Sequence, residues 1–233
     1  MKTLVRSIWR STLKPFVWFV SSTLRKLRGN KAIFTEIYHR NQWNSEESVS
    51  GKGSEIQETM VIRERLPEII KNYGVESLLD APCGDFNWMK EITQNLDYYL
   101  GVDIVSELTE KNNRQYGTEK RQFATKDVTV DPLPQVDLIL CRDCLVHLPN
   151  ELAVQALKNF QKSGSKYLLT TTFTARSQND NIVIGNWRPI NLQVAPFNLP
   201  PPLELINEEC SEGEGAFKDK CIALWRLDDI SLK

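Results

Sequence analysis

Short apolar runs alternate with helical stretches from Val75 onward, and this alternation limits the folds open to the chain. The stretches between the apolar runs predict helices over residues 85–95, 106–116 and 150–163. The apolar runs predict the strands SLLDAP (77–82), YYLGVDIV (98–105), RQFATKDV (121–128), VDLILCRD (136–143), KYLLTTTF (166–173) and KCIALWRL (220–227). Elements in this order form βαβ units, so we expect an α/β fold with a doubly wound, mostly parallel sheet.

Acidic residues end the first two predicted strands. Asp80 ends the first strand and Asp103 ends the second. Ligands of doubly wound sheets bind at the carboxyl ends of the strands, and an acid after the second strand can accept hydrogen bonds from both hydroxyls of a ribose. Asp127 follows the third strand, where it is either a contact for an adenine amino group or an ordinary loop acid.

The turn after Asp80 lacks the glycines of a dinucleotide site. The series G-x-G-x-x-G lets the backbone approach a pyrophosphate at the start of a helix. Pro82 and Phe86 occupy two of those glycine positions here, and Asp85 would repel a phosphate. These residues disfavour NAD and suit a positively charged ligand without phosphate, such as S-adenosylmethionine.

Residues 54–175 resemble the class I S-adenosylmethionine-dependent methyltransferases in the order and spacing of their motifs. LLDAPCG (78–84) is similar to the first motif of that family, a strand ending in acid-x-Gly-x-Gly. Asp103 matches the acid of the second motif, and VDLILCRDCLVHL (136–148) resembles the fourth-strand motif. The resemblance implies a seven-stranded, Rossmann-like methyltransferase sheet and S-adenosyl-L-methionine as the cofactor.

The resemblance also implies which residues bind this cofactor. The backbone of the turn would hold the methionine moiety, Asp103 would hold the ribose, and Asp127 with Val128 would border the adenine. The full set of expected cofactor residues is Asp80, Ala81, Pro82, Cys83, Gly84, Asp103, Asp127 and Val128.

The end of the fourth predicted strand supplies the candidate catalytic residues Arg142, Asp143 and His147. In this fold class the methyl acceptor meets the cofactor at that strand end. His147 could take a proton from an acceptor hydroxyl, or it could be a core side chain bonded to the backbone. Arg142 and Asp143 either orient a polar acceptor or simply pair with each other.

The five cysteines show no disulfide spacing, which favours a reducing compartment. Cys141 and Cys144 form a C-x-x-C pair that could indicate zinc or redox chemistry. Zinc is disfavoured because Cys210 and Cys221 make no clear second pair, and a thioredoxin-like fold would leave Asp80 and Asp103 unexplained. We therefore expect no metal.

The region after residue 173 is long, rich in proline and weakly periodic, which is typical of functional loops. We expect it to shape an acceptor pocket with Arg176, Trp187, Arg188 and Asn191, unless it is an ordinary surface excursion. Such side chains suit a small-molecule or glycan-like acceptor, and we expect O-methylation. The alternative function is a non-catalytic S-adenosylmethionine-binding or scaffold protein.

The N-terminal region differs in charge from the rest of the chain. Residues 1–35 contain eight basic and no acidic residues, which leaves 21 basic against 30 acidic residues in the remainder. Residues 1–30 predict a basic amphipathic helix that lies either on an anionic membrane surface or on protein, ending at Arg28-Gly29-Asn30. An acidic main body argues against nucleic acid as a partner. We expect a cytoplasmic protein, with peripheral attachment at the inner face of a membrane left open.

The chain of 233 residues, 41% of them hydrophobic, fits one globular domain with an appendage. We assign residues 31–54 to a connection and residues 55–233 to the methyltransferase-like domain. Gly51 and Gly53 make this connection either a hinge or a lid over a ligand. Ser54 and Gln57 form a capping-box pattern, so we expect Ser54 to start a helix that runs toward Tyr73.

Overall fold

The computed structural model describes residues 28–232. The predicted amphipathic segment 1–30 therefore lies outside the described residues, apart from its last three positions. Gly29 has a φ of 73° and separates Arg28 from a helix that begins at Asn30.

Seven strands form one sheet in the order β3-β2-β1-β4-β5-β7-β6. The first five strands pair in parallel, and β7 pairs antiparallel with both β5 and β6. The strands are β1 Ser77–Asp80, β2 Tyr98–Asp103, β3 Arg121–Thr125, β4 Leu138–Cys141, β5 Tyr167–Phe173, β6 Glu204–Asn207 and β7 Lys220–Arg226. The predicted α/β, doubly wound, mostly parallel sheet is confirmed, and β6 is the strand that the sequence pattern did not locate.

Four α-helices lie within residues 28–232 and pack around this sheet. They are α1 Asn30–His39, α2 Met60–Asn72, α3 Ser106–Tyr116 and α4 Asn150–Lys162. The last two match the helices predicted at 106–116 and 150–163. None of the helices in the described part of the chain is long and apolar enough to cross a membrane.

The core has two layers, one on each face of the sheet. Successive residues of β4 alternate between them: Leu138 and Leu140 belong to one cluster, and Ile139 and Cys141 to the other. This period of two is the pattern expected of a strand that is buried on both faces. Because β1 to β5 run parallel, their carboxyl ends meet at one edge of the sheet.

The helix predicted over residues 85–95 is absent. The chain instead makes turns and two short 3₁₀ helices, Met89–Glu91 and Thr93–Asn95. Gly84 and Phe86 both have positive φ, 53° and 60°, which is incompatible with the start of a right-handed helix. The ring of Phe86 is buried against other aromatic rings, and this packing offsets the cost of its backbone conformation.

The helix predicted to start at Ser54 begins at Met60. Ser54 is the last residue of a 3₁₀ turn, and its carbonyl accepts a hydrogen bond from Asn87 Nδ2. Glu55 instead accepts from Ser45 Oγ at 2.8 Å, which keeps this part of the chain in the connection. Most of α1 lies within the connection. Ile33 and Ile37 bury one face of this helix in the core.

Candidate functional site

A cavity of about 350 Å³ opens where the carboxyl ends of the parallel strands meet. Asp80 and Asp103 enter it from the ends of β1 and β2, and Lys220 enters it from the start of the antiparallel β7. The side chains of α1 and of residues 43–54 border the cavity from above this edge. Its position agrees with the general location of ligand sites in doubly wound sheets.

Asp103 connects the two strand ends that the sequence analysis singled out. Its carboxylate accepts a hydrogen bond from the amide of Val105 at 2.9 Å and another from the amide of Gly84 at 3.2 Å. Burial raises the pKa of Asp103 to about 6, although these backbone bonds act in the opposite direction. Each carboxylate oxygen can accept more than one hydrogen bond, so Asp103 can still receive a ligand hydroxyl.

Asp80 lies beside the cavity with its carboxylate bonded to the hydroxyl of Tyr99, which donates at 2.7 Å. Burial raises the pKa of Asp80 to about 7, and the nearby charge of Asp103 acts in the same direction. Two buried carboxylates in one cavity make it a poor site for an anion and a suitable site for a cation.

The turn after β1 borders the cavity through Pro82, Cys83 and Gly84. Ala81, which was expected with them, does not border the cavity formed by the described residues, because its amide donates to Leu140 O within the sheet. Sequence alone could not separate Ala81 from its neighbours, since the motif specifies a turn and not the direction of each peptide group.

Asp127 and Val128 also border the cavity. The carboxylate of Asp127 accepts from Thr129 Oγ1 at 2.6 Å and from Asn30 Nδ2 at 2.9 Å. Asp127 therefore attaches the start of α1 to the loop after β3. The expected contact to an adenine amino group stays a prediction.

Residues 43–54, called here the covering segment, lie over the turn after β1. Asp85 accepts hydrogen bonds from Ser48 Oγ at 3.0 Å, from the amide of Val49 at 3.0 Å and from Ser50 Oγ at 3.4 Å. A Cβ atom on Gly84 would lie 2.0 Å from Ser50 Oγ, so only glycine permits this contact. Asp85, considered in the sequence only as a group that repels phosphate, holds the covering segment in place.

Arg142 and Asp143 lie within 3.3 Å of each other at the end of β4, as one of the sequence interpretations anticipated. Arg142 also donates to Glu208 Oε1 and to Gly53 O, each at 2.6 Å. Lys220 Nζ donates to Asp143 Oδ2 at 2.7 Å. Although burial opposes it, the charges of Lys220 and Arg142 lower the pKa of Asp143 to about 2. Both candidate residues therefore belong to a buried network of charges beside the cavity.

His147 borders the cavity and is bonded to the backbone as well. Its Nδ1 lies 3.1 Å from the carbonyl oxygen of Asn186, so Nδ1 carries the hydrogen and Nε2 is unprotonated in the neutral ring. Burial lowers the pKa of His147, which favours this neutral form. The Trp43 ring lies 5.0 Å from the imidazole and fixes its plane.

Trp187 is the one expected acceptor residue that borders the cavity. Arg176 instead forms an ion pair with Asp219 at 2.7 Å, and the Asn191 side chain donates to the carbonyl of Arg176 at 2.8 Å. Neither side chain borders the cavity formed by the described residues, since both are bonded to protein groups nearby, and their expected contacts to an acceptor stay predictions.

Arg188 also lies outside the lining of this cavity, and its expected contact to an acceptor stays a prediction. Arg188 is buried and donates to Leu145 O at 2.8 Å, to Leu148 O at 2.9 Å and to Asn150 Oδ1 at 2.9 Å. Its guanidinium thus satisfies the backbone that follows β4. The sequence does not show whether an arginine in such a proline-rich loop binds a ligand or backbone carbonyls.

Several cavity residues were not predicted from the sequence. They are mainly aromatic and charged side chains far apart in the chain, namely Phe34, Tyr38, Trp43, Trp88, Phe173, Glu212, Phe217 and Lys220. The distance between them along the chain explains the omission, since a single sequence shows no link between such positions. Cys144 borders the same cavity, and all five cysteines are free.

The comparisons with known proteins show the fold. No family model matches the chain, and no curated protein matches it in sequence. Among solved structures, the N-methyltransferase NodS from Bradyrhizobium japonicum WM9, in complex with S-adenosyl-L-homocysteine, aligns with a TM-score of 0.61 at 13% identity. That alignment covers 85% of this chain and 98% of NodS.

Two further structures align with TM-scores slightly above 0.5. An S-adenosylmethionine-dependent methyltransferase from Clostridium acetobutylicum gives 0.52 at 14% identity, over 70% of this chain and 89% of its own. The [4+2]-cyclase SpnF gives 0.51 at 12% identity, over 70% of this chain and 80% of its own. The chain therefore has the fold of the class I S-adenosylmethionine-dependent methyltransferases.

The raised pKa of Asp80 predicts a pH-dependent stability difference. Because the folded-state pKa is about 7 against an ordinary value of 3.8, the folded protein keeps a proton on Asp80 that the unfolded chain releases, so stability falls as the pH rises from about 4 to about 7. The substitution Asp80→Asn removes this ionisation while keeping an acceptor for Tyr99. The Tm of Asp80→Asn minus that of the wild type should rise with pH, with roughly 2–4 °C for each kcal/mol in a chain of this size.

The matched control is Asp97→Asn, which changes an exposed carboxylate at the other end of β2. Its Tm difference should stay constant over the same pH range. A constant difference for Asp80→Asn would contradict the raised pKa.

Proposed function

We propose that the chain is an S-adenosylmethionine-dependent methyltransferase that acts on a small molecule. The observation that carries this proposal is the buried carboxylate of Asp103, presented to a cavity at the end of β2 beside a turn that lacks a phosphate site. The methyltransferase fold supports it, as does the NodS structure, which aligns over 85% of this chain and contains S-adenosyl-L-homocysteine.

The cavity has the chemistry that this cofactor requires. Asp80 and Asp103 place negative charge where a sulfonium and an ammonium group need it, and apolar side chains such as Ile104 and Leu108 border the adjoining part. Asp103 would hold the ribose, Pro82 to Gly84 the methionine part, and Val128 the adenine. When bound, the cofactor supplies a methyl group activated by a positively charged sulfur.

We propose a hydroxyl group on a small or glycan-like molecule as the acceptor. His147 supports this choice, because its unprotonated Nε2 can take the proton that a hydroxyl loses on methylation. Trp187 supports a ring-shaped or apolar acceptor, since an aromatic face packs well against either. Arg142 and Asp143 would act by holding the wall of the cavity, since their charges are already bonded to protein groups.

A second candidate function is ligand binding without methyl transfer. SpnF shares the fold and is a [4+2]-cyclase, so this fold does not by itself establish methyl transfer. The departure of Phe86 and Pro82 from the methyltransferase motif favours this alternative. Tight binding of both adenosyl ligands without consumption of S-adenosylmethionine, across hydroxyl- and amine-bearing acceptors, would support it.

The substitution Asp103→Ala tests the cofactor site. Loss of one charge-assisted hydrogen bond should weaken binding of S-adenosylmethionine and S-adenosylhomocysteine by roughly 10- to 100-fold in calorimetric titrations. Asp97→Ala, at the exposed start of β2, should bind like the wild type. NAD should not bind, and a preference for NAD would indicate an oxidoreductase instead. Thermal melts of both variants would verify that each is folded.

The covering segment is proposed as a lid over the cofactor site. Asp85→Ala removes the acceptor for three hydrogen bonds from Ser48, Val49 and Ser50. Dissociation of S-adenosylhomocysteine, followed by tryptophan fluorescence in a stopped-flow instrument, should be about tenfold faster. Glu46→Ala, which changes an exposed residue of the same segment, is the control. Equal dissociation rates in all three proteins would show that the segment is a fixed wall.

The basic N-terminal residues are proposed to attach the protein to the cytoplasmic face of a membrane. Eight basic residues without an acid in residues 1–35 support this proposal, and each basic residue near an anionic surface contributes about 1 kcal/mol. The full chain should float with vesicles that contain phosphatidylserine, and a chain lacking residues 1–27 should remain at the bottom of the gradient. Identical behaviour of both chains would contradict the membrane role.

A further inference from the structure

The charged groups at the end of β4 balance one another. Arg142 pairs with Glu208 at 2.6 Å, and Lys220 pairs with Asp143 at 2.7 Å. Lys220 also lies 3.6 Å from Glu208, so two cations meet two carboxylates within one buried network. A ligand in this part of the cavity therefore encounters little net charge from these four residues.

Glu212 adds a carboxylate that this network does not match. It borders the cavity and is half-buried. Within residues 28–232, no side chain or amide forms a hydrogen bond or ion pair with its carboxylate. Burial raises the pKa of Glu212, and the charges of Asp143 and Glu58 act in the same direction, whereas those of Lys220 and Arg142 oppose it.

The surroundings of Glu212 are acidic as well. The ligand atoms of Glu58, Cys210 and Glu212 all lie within 4.8 Å of one another. Glu58 is bonded to the hydroxyl of Ser211 and to its amide, so one member of this group already has protein donors. The local charge remains negative, which favours a positively charged group from a ligand.

Glu212 lies against the covering segment at Gly53. A Cβ atom on Gly53 would lie 3.5 Å from Glu212 Oε1, 3.1 Å from Asp143 Oδ2 and 3.8 Å from Lys220 Nζ. Glu212 is therefore next to the residues that follow β4, on the side of the cavity proposed for the acceptor. Glu212 belongs to the segment between β6 and β7, whereas Asp103 ends β2, which lies on the other side of β1 and β4 in the sheet. The side of the cavity near Asp103 is the one proposed for the cofactor.

Aromatic rings lie beside the residue that follows Glu212, and they border the same cavity. Phe217 packs on Gly213, the residue after Glu212, since a Cβ atom there would lie 2.6 Å from the ring. The rings of Phe217 and Trp187 are 4.7 Å apart, and Trp187 remains 42% exposed at the cavity. An anionic group next to aromatic faces is the arrangement that binds organic cations.

We propose that Glu212, with Phe217 and Trp187 beside it, binds a protonated amine of the acceptor. The acceptor is accordingly an amine-bearing organic molecule with an apolar or ring-shaped body, and its hydroxyl group points toward His147. This inference rests on the proposed function only in identifying the bound amine as the methyl acceptor. The amine site itself can be measured without methyl transfer.

A divalent metal ion is the competing occupant of the same carboxylates. The aromatic rings beside Gly213 favour an organic cation over a metal ion, because a ring face attracts an ammonium group without supplying a metal ligand.

The experiment compares three probes of equal size and different charge: tyramine, its neutral alcohol analogue tyrosol, and 4-hydroxyphenylacetate. Each is titrated against the full chain by tryptophan fluorescence, both with saturating S-adenosylhomocysteine and without it. Tyramine should bind about tenfold more tightly than tyrosol, and 4-hydroxyphenylacetate should bind most weakly. Glu212→Gln should abolish the preference for tyramine. Glu214→Gln, an exposed glutamate two residues away, should preserve it.

The other results overturn either the amine site or the proposed function, and they distinguish the two. Equal affinities for the three probes, absence of binding by all of them, or an unchanged preference in Glu212→Gln would remove the amine site. Zinc or magnesium bound in equal molar amount to the wild type and lost in Glu212→Gln would assign the carboxylates to a metal. If S-adenosylhomocysteine fails to bind while tyramine is still preferred, the proposed function fails and the amine site stands.

Discussion

The arrangement of the loops around the cavity depends on the carboxylate of Asp103, which is bonded to two of them. Parallel strands bring their carboxyl ends to one edge, but nothing in the strand pairing itself fixes the loops that leave this edge. Asp103 fixes two of them, because its oxygens accept from the amide of Gly84 after β1 and from that of Val105 before α3. Asp85 then fixes the covering segment in the same manner. Acidic side chains at strand ends thus organise backbone amides before any ligand arrives.

Arginine plays the corresponding role for backbone carbonyls in the C-terminal third of the protein. The region between β5 and β6 contains little regular secondary structure, so many of its peptide groups lack partners from a helix or a strand. Arg188 binds three loop carbonyls, those of Leu145, Leu148 and Asp180, from within the core. Its cost of burial is offset because each of its three nitrogen atoms donates to an acceptor. The long loop is consequently part of the fold and not an addition to it.

The sequence predicted those parts of the fold that depend on local periodicity. The strands of the parallel sheet, together with α3 and α4, have apolar patterns that tertiary contacts only reinforce. The helix expected at 85–95 failed because Phe86 adopts a left-handed backbone to place its ring in the core, and no local pattern reveals this. Ser54 failed as a helix start for a similar reason, since Ser45 and Glu55 make a contact that a capping rule ignores. For the site, strand-end acids were predictable, whereas Glu212 reaches the cavity only through the folding of distant segments.

The covering segment touches both halves of the cavity. Its serines are bonded to Asp85 on one side, and the carbonyl of Gly53 accepts from Arg142 on the other. The contact of Ser50 with Gly84 leaves no gap between the segment and the turn beneath it. A displacement large enough to admit a molecule to one half therefore also disturbs the other. The covering segment thus couples the turn after β1 mechanically to the residues that follow β4, although the two are far apart along the chain.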